Sequence, residues 1–72
     1  MMTRMKVGDL VWVPDGTIGD RGSYTVDMRG PLLALVKALK PQKLRILANV
    51  DGTQASLLVR QEDVYDIGDL YD

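Results

Sequence analysis

Five carboxylates crowd the end of this chain, and they are the first residues whose type could do chemistry. A calcium ion takes six to eight oxygen ligands, and the EF-hand supplies them from a loop that turns at a glycine. The carboxylates here do not follow the spacing of that loop, so we expect a solvated acidic surface rather than a metal site. They are Glu62, Asp63, Asp66, Asp69 and Asp72.

Three regularly spaced glycines, Gly16, Gly19 and Gly22, form the second such group. A phosphate-binding loop would continue into Gly-Lys-Ser or Gly-Lys-Thr and open a helix, and neither follows here. We therefore interpret the three as turn glycines. The serines and threonines have no histidine to activate them, because the chain contains neither histidine nor cysteine. The sequence predicts a protein that is not an enzyme and that holds no metal or cofactor.

The composition bounds the class of protein. Seventy-two residues are enough for one domain. A net charge of −1 gives no general argument for binding nucleic acid or an anionic membrane. No apolar run is long enough to span a membrane, and Met1 to Lys6 has no apolar signal core, so we predict a cytoplasmic protein.

A hairpin from Lys43 to Arg60 is the predicted centre of the fold. Its turn is Asp51-Gly52, a pair that supplies the positive φ that a type I′ turn needs at both central positions. Pairing outward from this turn places one apolar row on a single face, because side chains alternate along a strand. That row pairs Val50 with Thr53, Ala48 with Ala55, Ile46 with Leu57 and Leu44 with Val59. The opposite face carries Lys43, Arg45, Leu47 and Asn49 against Arg60, Leu58, Ser56 and Gln54.

The stretch Lys6 to Val13 alternates well enough to be a strand that ends at Pro14, since proline cannot donate to a ladder. Met1 to Met5 has no periodic pattern, and we expect a weakly docked terminus. The strand would bury Val7, Val11 and Val13 and turn Leu10 and Trp12 the other way.

The segment Pro14 to Gly30 is rich in turn residues and predicts a long surface loop, folded back as an irregular hairpin with a short strand from Ser23 to Met28. Pro31 to Lys40 fits two structures. As a helix it places Leu32, Leu35, Val36 and Leu39 on one face. As a strand it places Leu33, Leu35, Lys37 and Leu39 on one face and Leu32, Ala34, Val36 and Ala38 on the other. Periodicity does not separate the two, but the short Pro41-Gln42 connection to the next strand favours a strand.

After the hairpin, Gln61 to Asp63 predicts a single tight turn, and Val64 to Leu70 a last short strand. This order of elements resembles the Src-homology-3-like (SH3-like) small β-barrel, the scaffold of Tudor and KOW domains. The matching stretches are Lys6 to Val13, the hairpin with its Asp51-Gly52 turn, and Arg60 to Ile67, which resembles the single-turn helix and final strand of that fold.

The resemblance implies a mostly β protein, a small five-stranded antiparallel barrel over residues 1–72 with a long first loop and a single-turn helix before the last strand. Free-standing barrels of this kind are common in bacteria and phages, which implies a location in a host cytoplasm or a virion. The scaffold hosts many functions, so the fold does not fix one.

The closest specific resemblance is to the KOW motif. Gly8-Asp9, Val11, Val13 and the glycine series are similar to it, although the interval between Gly16 and Gly19 is one residue shorter and the usual lysines are missing. KOW domains belong to ribosomal and transcription proteins, which implies a nucleic-acid-associated accessory domain as the alternative function. Its basic surface would draw on Arg4, Lys6, Arg21, Arg29, Lys37, Lys40, Lys43, Arg45 and Arg60. The peptide-binding form of the fold is not indicated, because its Ala-Leu-Tyr-Asp-Tyr run is absent.

Apolar residues on both faces of several strands point instead to association. A barrel has one interior, and contiguous exposed apolar patches mark association surfaces. Trp12 is either an exposed interface anchor or a side chain covered by the long loop, and a loop or helix covering the whole surplus is the other alternative. The leading hypothesis is a non-catalytic interaction module that binds a protein partner or forms a homo-oligomer. Its predicted partner-binding residues are Leu10, Trp12, Tyr24, Leu47 and Leu58.

Overall fold

The structure is a computed structural model that describes residues 5–67. Over this range the chain forms a seven-stranded antiparallel sheet with the strand order β3-β2-β6-β5-β4-β1-β7. The strands are β1 (Leu10–Val13), β2 (Ile18–Asp20), β3 (Thr25–Asp27), β4 (Leu32–Lys40), β5 (Lys43–Val50), β6 (Thr53–Arg60) and β7 (Tyr65–Asp66).

The predicted mostly β class is confirmed, but the predicted five-stranded barrel is wrong. β3 and β7 are the two edges of the sheet and do not pair with each other, so the sheet does not close. The two extra strands, β2 and β3, arise because the long loop folds on itself as a hairpin whose β2 strand pairs with β6.

The β5–β6 hairpin has the predicted register at every pair. Asp51 and Gly52 have φ values of 53° and 84°, the positive φ that the turn requires. Side chains on the inner side of this hairpin form the centre of the core, and Leu44, Ile46 and Leu57 are fully buried. The rest of the buried cluster comes from the same hairpin, from β1 and β4, from the long loop and from the residue before β7: Ala48, Ala55, Val59, Val11, Val13, Ala34, Val36, Met28 and Val64.

The ambiguous stretch after Pro31 is a strand, as the short connection favoured, and not a helix. A bulge between Val36 and Ala38 shifts its register against β5. Beyond the bulge, Leu39 lies opposite the buried Leu44, whereas unbroken alternation predicted it on the other side with Leu33. One extra residue moves every later side chain of a strand to the opposite face.

The predicted strand from Lys6 to Val13 is correct only from Leu10 onward. The Asp9 N–H donates to the Lys6 carbonyl at 3.0 Å, which closes a turn, and Gly8 has a φ of 95°. This turn docks on the β4 bulge, because the Gly8 N–H donates to the Val36 carbonyl and the Val36 N–H donates to the Asp9 carbonyl, both at 2.9 Å. Val7 is therefore 60% exposed and does not join Val11 in the core.

The long loop is tied back to the core, as an irregular hairpin should be. The Gly16 N–H donates to the Met28 carbonyl and the Met28 N–H donates to the Thr17 carbonyl, both at 2.9 Å. Thr17 is buried, and its hydroxyl donates to the Pro14 carbonyl at 2.7 Å. These bonds bring Met28 into the core. The predicted strand in this loop is shorter than Ser23 to Met28 and covers only β3.

At the end of the described range, the predicted tight turn is a single 3-10 turn, Gln61–Asp63, followed by β7. The Gln61 side-chain amide donates to the carbonyls of Lys40 (3.2 Å) and Lys43 (3.3 Å), so this turn is fastened to the β4–β5 turn. β7 then pairs with β1.

The predictions for Leu70, Asp69 and Asp72 fall outside the described residues. At the other end, Met5 packs against the core, and the rest of the predicted loose terminus also lies outside the described range. Within residues 5–67, no helix has the length and apolar character that crossing a bilayer requires.

Candidate functional site

Six large apolar side chains lie next to one another on the outer side of the sheet, opposite the core. Strand pairing places them in two rows that run across the strands. In the first row Leu10 lies opposite Leu35, which lies opposite Leu47. In the second row Tyr65 lies opposite Trp12, which lies opposite Leu33. We call this surface the outer apolar face: Leu10, Trp12, Leu33, Leu35, Leu47 and Tyr65.

The two rows are joined along the strands, because residues i and i+2 share a face. Leu10 and Trp12 are such a pair on β1, and Leu33 and Leu35 are such a pair on β4. Directly opposite side chains in an antiparallel sheet have Cβ atoms about 5 Å apart. The outer apolar face is therefore one continuous patch over β7, β1, β4 and β5.

Much of this patch is open to solvent. Leu10 is 48% exposed, Leu33 54% and Tyr65 50%, while Trp12, Leu35 and Leu47 are half-buried. The Trp12 ring packs on Tyr65, with ring centroids 5.8 Å apart and planes inclined by 45°. The β2–β3 hairpin of the long loop instead joins the sheet at β6, on the other side of β5 and β4. This hairpin is therefore not a neighbour of Trp12 within the sheet.

The structure brings three of the five predicted partner-binding residues together. Leu10, Trp12 and Leu47 belong to the outer apolar face. Leu58 lies on the same side of the sheet, on β6 opposite Arg45 and Asp20, but outside the two rows. Tyr24 is in the β2–β3 turn, where its ring lies 5.9 Å from the Arg21 guanidinium carbon. Binding of a partner by any of the five stays a prediction.

Three members of the face were not named from the sequence. Leu33 and Leu35 lie on the strand whose two sides were both apolar, so the pattern required one side to point outward without saying which. Tyr65 carried no signal of its own. Pairing the last strand with the first would have placed it beside Trp12, since these two strands run side by side here.

Basic side chains of the described residues gather at one end of the strands that carry the face, near the β4–β5 turn. We call this the basic end. Its basic side chains are Lys37, Lys40, Lys43, Arg45 and Arg60, and they lie with the acidic side chains of Asp15, Asp20, Glu62 and Asp63.

Within the basic end, Arg60 binds two of the carboxylates. Its Nε donates to Asp63 at 3.0 Å, and its Nη1 lies 3.2 Å from Glu62. The hydrogen bond to Asp63, reinforced by the charges of Asp63 and Glu62, raises the pKa of Arg60 above its usual value. Lys40 and Lys43 lie opposite each other on β4 and β5.

Residues 5–67 hold no group of three or more carboxylate, histidine or cysteine side chains placed to bind a metal. A cleft of about 460 Å³ lies at the basic end, lined by Gln42, Lys43, Arg60, Gln61 and Glu62. Ligand pockets of this volume are lined mostly by apolar and aromatic side chains, and this one is polar.

Comparison of the chain with known proteins adds no identification. No protein-family model, no curated protein and no solved structure matched it. The chemistry that the outer apolar face offers is the exclusion of water against another apolar surface.

Proposed function

We propose that the protein is a non-catalytic interaction module that binds another polypeptide, a protein partner or a second copy of itself, through the outer apolar face. The observation that carries the proposal is the unbroken two-row array on four neighbouring strands. Scattered apolar side chains are normal on a protein surface, but a contiguous patch of this kind is typical of an association site.

Burying apolar surface is worth about 25 cal/mol for each Å² removed from water. Leaving six large apolar side chains in contact with solvent therefore costs a small domain stability that a bound partner restores. Trp12 and Tyr65 are also the residue types that anchor protein interfaces, since each combines a large apolar ring with a polar atom.

The order of the elements supports a relation to the SH3-like scaffold, in a form whose sheet stays open. A first strand leads into a long loop, a three-strand meander follows, and a single 3-10 turn precedes a last strand that pairs back on the first. In this proposal the β2–β3 hairpin is an elaboration of the long loop. The relation adds no ligand, because the scaffold serves many functions.

Site-specific photo-crosslinking tests the proposal. The full chain is expressed in cells with a photoreactive phenylalanine analogue in place of Leu33 or Tyr65. The matched controls carry the same analogue at Leu39, which is 48% exposed, or at Tyr24, which is 56% exposed, both outside the face. We expect crosslinks to a polypeptide from the two face positions and not from the two controls. Equal yields from all four positions would refute the proposal.

A second candidate function is nucleic-acid binding, which the basic end favours. Lys40 and Lys43 are exposed there, and their charges are not among those bound to Glu62 or Asp63. Such binding would weaken steeply with salt, because neutralised phosphates release counterions. A titration of labelled RNA and DNA with the full chain at low and high salt decides it, and no binding at low salt rejects it.

A further inference from the structure

We infer that the free edge of β3 binds an extended segment of a partner protein, which adds to the sheet there as one more antiparallel strand. This site is separate from the outer apolar face, so the inference does not depend on the proposed function. Recognition of this kind rests on backbone hydrogen bonds, and alternate side chains of the added strand give selectivity.

The backbone bonds of the β2–β3 hairpin show which groups of β3 point toward β2. The Arg21 N–H donates to the Tyr24 carbonyl, and the Met28 N–H donates to the Thr17 carbonyl, both at 2.9 Å. Opposite residues of an antiparallel pair exchange hydrogen bonds only at every second position. The positions of the β3 segment that bond to β2 are therefore Tyr24, Val26 and Met28.

Thr25 and Asp27 lie between these positions, so their N–H and C=O groups face away from β2. The register agrees, because Asp20, which lies opposite Thr25, pairs with Leu58 of β6 on its other side. β3 is an end strand of the sheet, and among residues 5–67 no group bonds to this outward backbone. Both residues are exposed. The edge thus presents alternating donors and acceptors, the pattern that another extended backbone satisfies.

Apolar side chains flank this edge on both sides of the sheet. Val26 is half-buried and packs against the core. On the outer side, Ile18 is 48% exposed and shares a cleft of about 320 Å³ with Leu58 and Thr25. Neither Ile18 nor Leu58 belongs to the outer apolar face. Since an added strand alternates its side chains between the two sides, we expect an apolar residue opposite Val26 and a long apolar residue opposite Thr25.

Charges near the edge are mixed, with Asp20 and Asp27 acidic and Arg21 and Arg29 basic. They select mainly at the position opposite Asp27, where a like charge is unfavourable and a lysine is favourable. β3 has only three residues, and short charged edges limit unselective pairing. We therefore expect an isolated peptide to bind with a dissociation constant on the order of 0.1–1 mM.

A peptide titration of the full chain, followed by the amide signals in nuclear magnetic resonance, tests the site. The probe is a capped peptide with the central sequence Lys-Val-Leu, which places lysine opposite Asp27 and leucine opposite Thr25. We expect signal shifts and slower hydrogen exchange at the Thr25 and Asp27 N–H groups. The matched control peptides carry one N-methyl group. Methylation at leucine removes a donor to β3 and should abolish binding, whereas methylation at valine, whose N–H points away from β3, should not.

Thr25→Pro tests the edge from the side of the protein. Proline is tolerated where a strand N–H faces solvent, so this variant loses the outward donor and keeps the bonds to β2. It should raise the dissociation constant of the peptide at least tenfold, while Thr25→Val, which keeps the N–H, should bind like the wild type. Leu33→Lys, on the outer apolar face, should also bind like the wild type. Circular dichroism confirms that each variant is folded.

No binding of the Lys-Val-Leu peptide, or equal binding by Thr25→Pro and Thr25→Val, would overturn the inference. A wild-type dimer in sedimentation equilibrium that Thr25→Pro abolishes would show that a second copy occupies the edge, and the partner inference would be wrong. Failure of the crosslinks from Leu33 and Tyr65 would affect only the proposed function. A strand bound at this edge lies beside Tyr24, so Leu39, on the distant β4, is the crosslinking control that neither site touches.

Discussion

The ring of Trp12 lies 5.8 Å from the ring of Tyr65, and the two rings are inclined by 45°. This pair joins the first strand to β7, a strand of only two residues. So short a strand has little backbone pairing of its own, and the ring contact supports it at the edge of the sheet.

We predict that Tyr65→Ala lowers the free energy of unfolding by about 1–2 kcal/mol, because aromatic pairs add about 0.5–1.5 kcal/mol to the apolar area they bury. Urea unfolding followed by Trp12 fluorescence measures the loss. Tyr65→Phe keeps the ring and should stay close to the wild type. An alanine variant as stable as the phenylalanine variant would show that the ring pair contributes nothing to holding β7.

The two sides of the sheet should respond differently to truncation. Ile46 and Leu57 lie opposite each other and are both fully buried. We predict that Leu57→Ala lowers the free energy of unfolding by about 2–5 kcal/mol and that Ile46→Val lowers it by about 0.5–1.5 kcal/mol. Each variant loses the burial of the removed carbon atoms and also leaves a cavity. Leu33→Ala, on the outer apolar face, should change the stability of the monomer by less than about 0.5 kcal/mol. Chemical unfolding at low protein concentration measures all three, and a large loss at Leu33 would contradict the division into two sides.

The hairpin between β5 and β6 could be predicted from the sequence in full because its information is local. Asp51-Gly52 fixes the turn, the turn fixes the register, and the register decides which face Ile46 and Leu57 occupy. The single turn before the last strand is local in the same way.

The failures come from interactions between distant segments. Alternation continues through Val7, but Gly8 turns the chain so that it can dock on Val36 of β4. The bulge that receives this turn is also what moves Leu39 to the inner side. The sequence pattern around Gly8 does not reveal the β4 bulge, and the pattern of β4 does not reveal the turn at Gly8.

The outer apolar face was only partly predictable for the same reason. Leu10, Trp12 and Leu47 follow from alternation within their own strands. Leu35, which joins Leu10 to Leu47, depends on β4 lying between β1 and β5. Tyr65 depends on β7 pairing with β1, a contact between the two ends of the chain.

A methyl group added at either of two glycines, Gly19 or Gly30, would press on its neighbours, and those neighbours differ. A Cβ at Gly30 would lie 3.0 Å from the Val13 carbonyl oxygen and 3.1 Å from the Leu32 nitrogen, both backbone atoms. A Cβ at Gly19 would lie 3.1 Å from side-chain carbons of Leu57 and Met28. Side chains can shift more easily than backbone. We therefore predict that Gly30→Ala lowers the free energy of unfolding by about 3 kcal/mol and that Gly19→Ala lowers it by about 1 kcal/mol.

Thermal and urea unfolding measure both glycine variants. Met28→Ala provides the control background, because it removes the methyl group that a Cβ at Gly19 would touch. Gly19→Ala should cost less in that background, while the cost of Gly30→Ala should not change. Equal costs for the two variants in the wild-type background would contradict the distinction between side-chain and backbone neighbours.

Gln42 offers a stabilising change, because it sits in the β4–β5 turn with a φ of 63°. A left-handed backbone costs an ordinary residue about 1–2 kcal/mol, and glycine adopts it freely. The Gln42 backbone carbonyl accepts a bond from the Gln61 N–H at 3.1 Å, and this bond does not depend on the Gln42 side chain. We predict that Gln42→Gly raises the free energy of unfolding by about 0.5–1 kcal/mol after the entropy cost of glycine, measured by urea unfolding. Lys43→Gly, the next residue and an extended one in β5, should instead lower it, because glycine weakens a strand. If Gln42→Gly and Lys43→Gly lowered the free energy of unfolding equally, the left-handed backbone at Gln42 would not destabilise this turn.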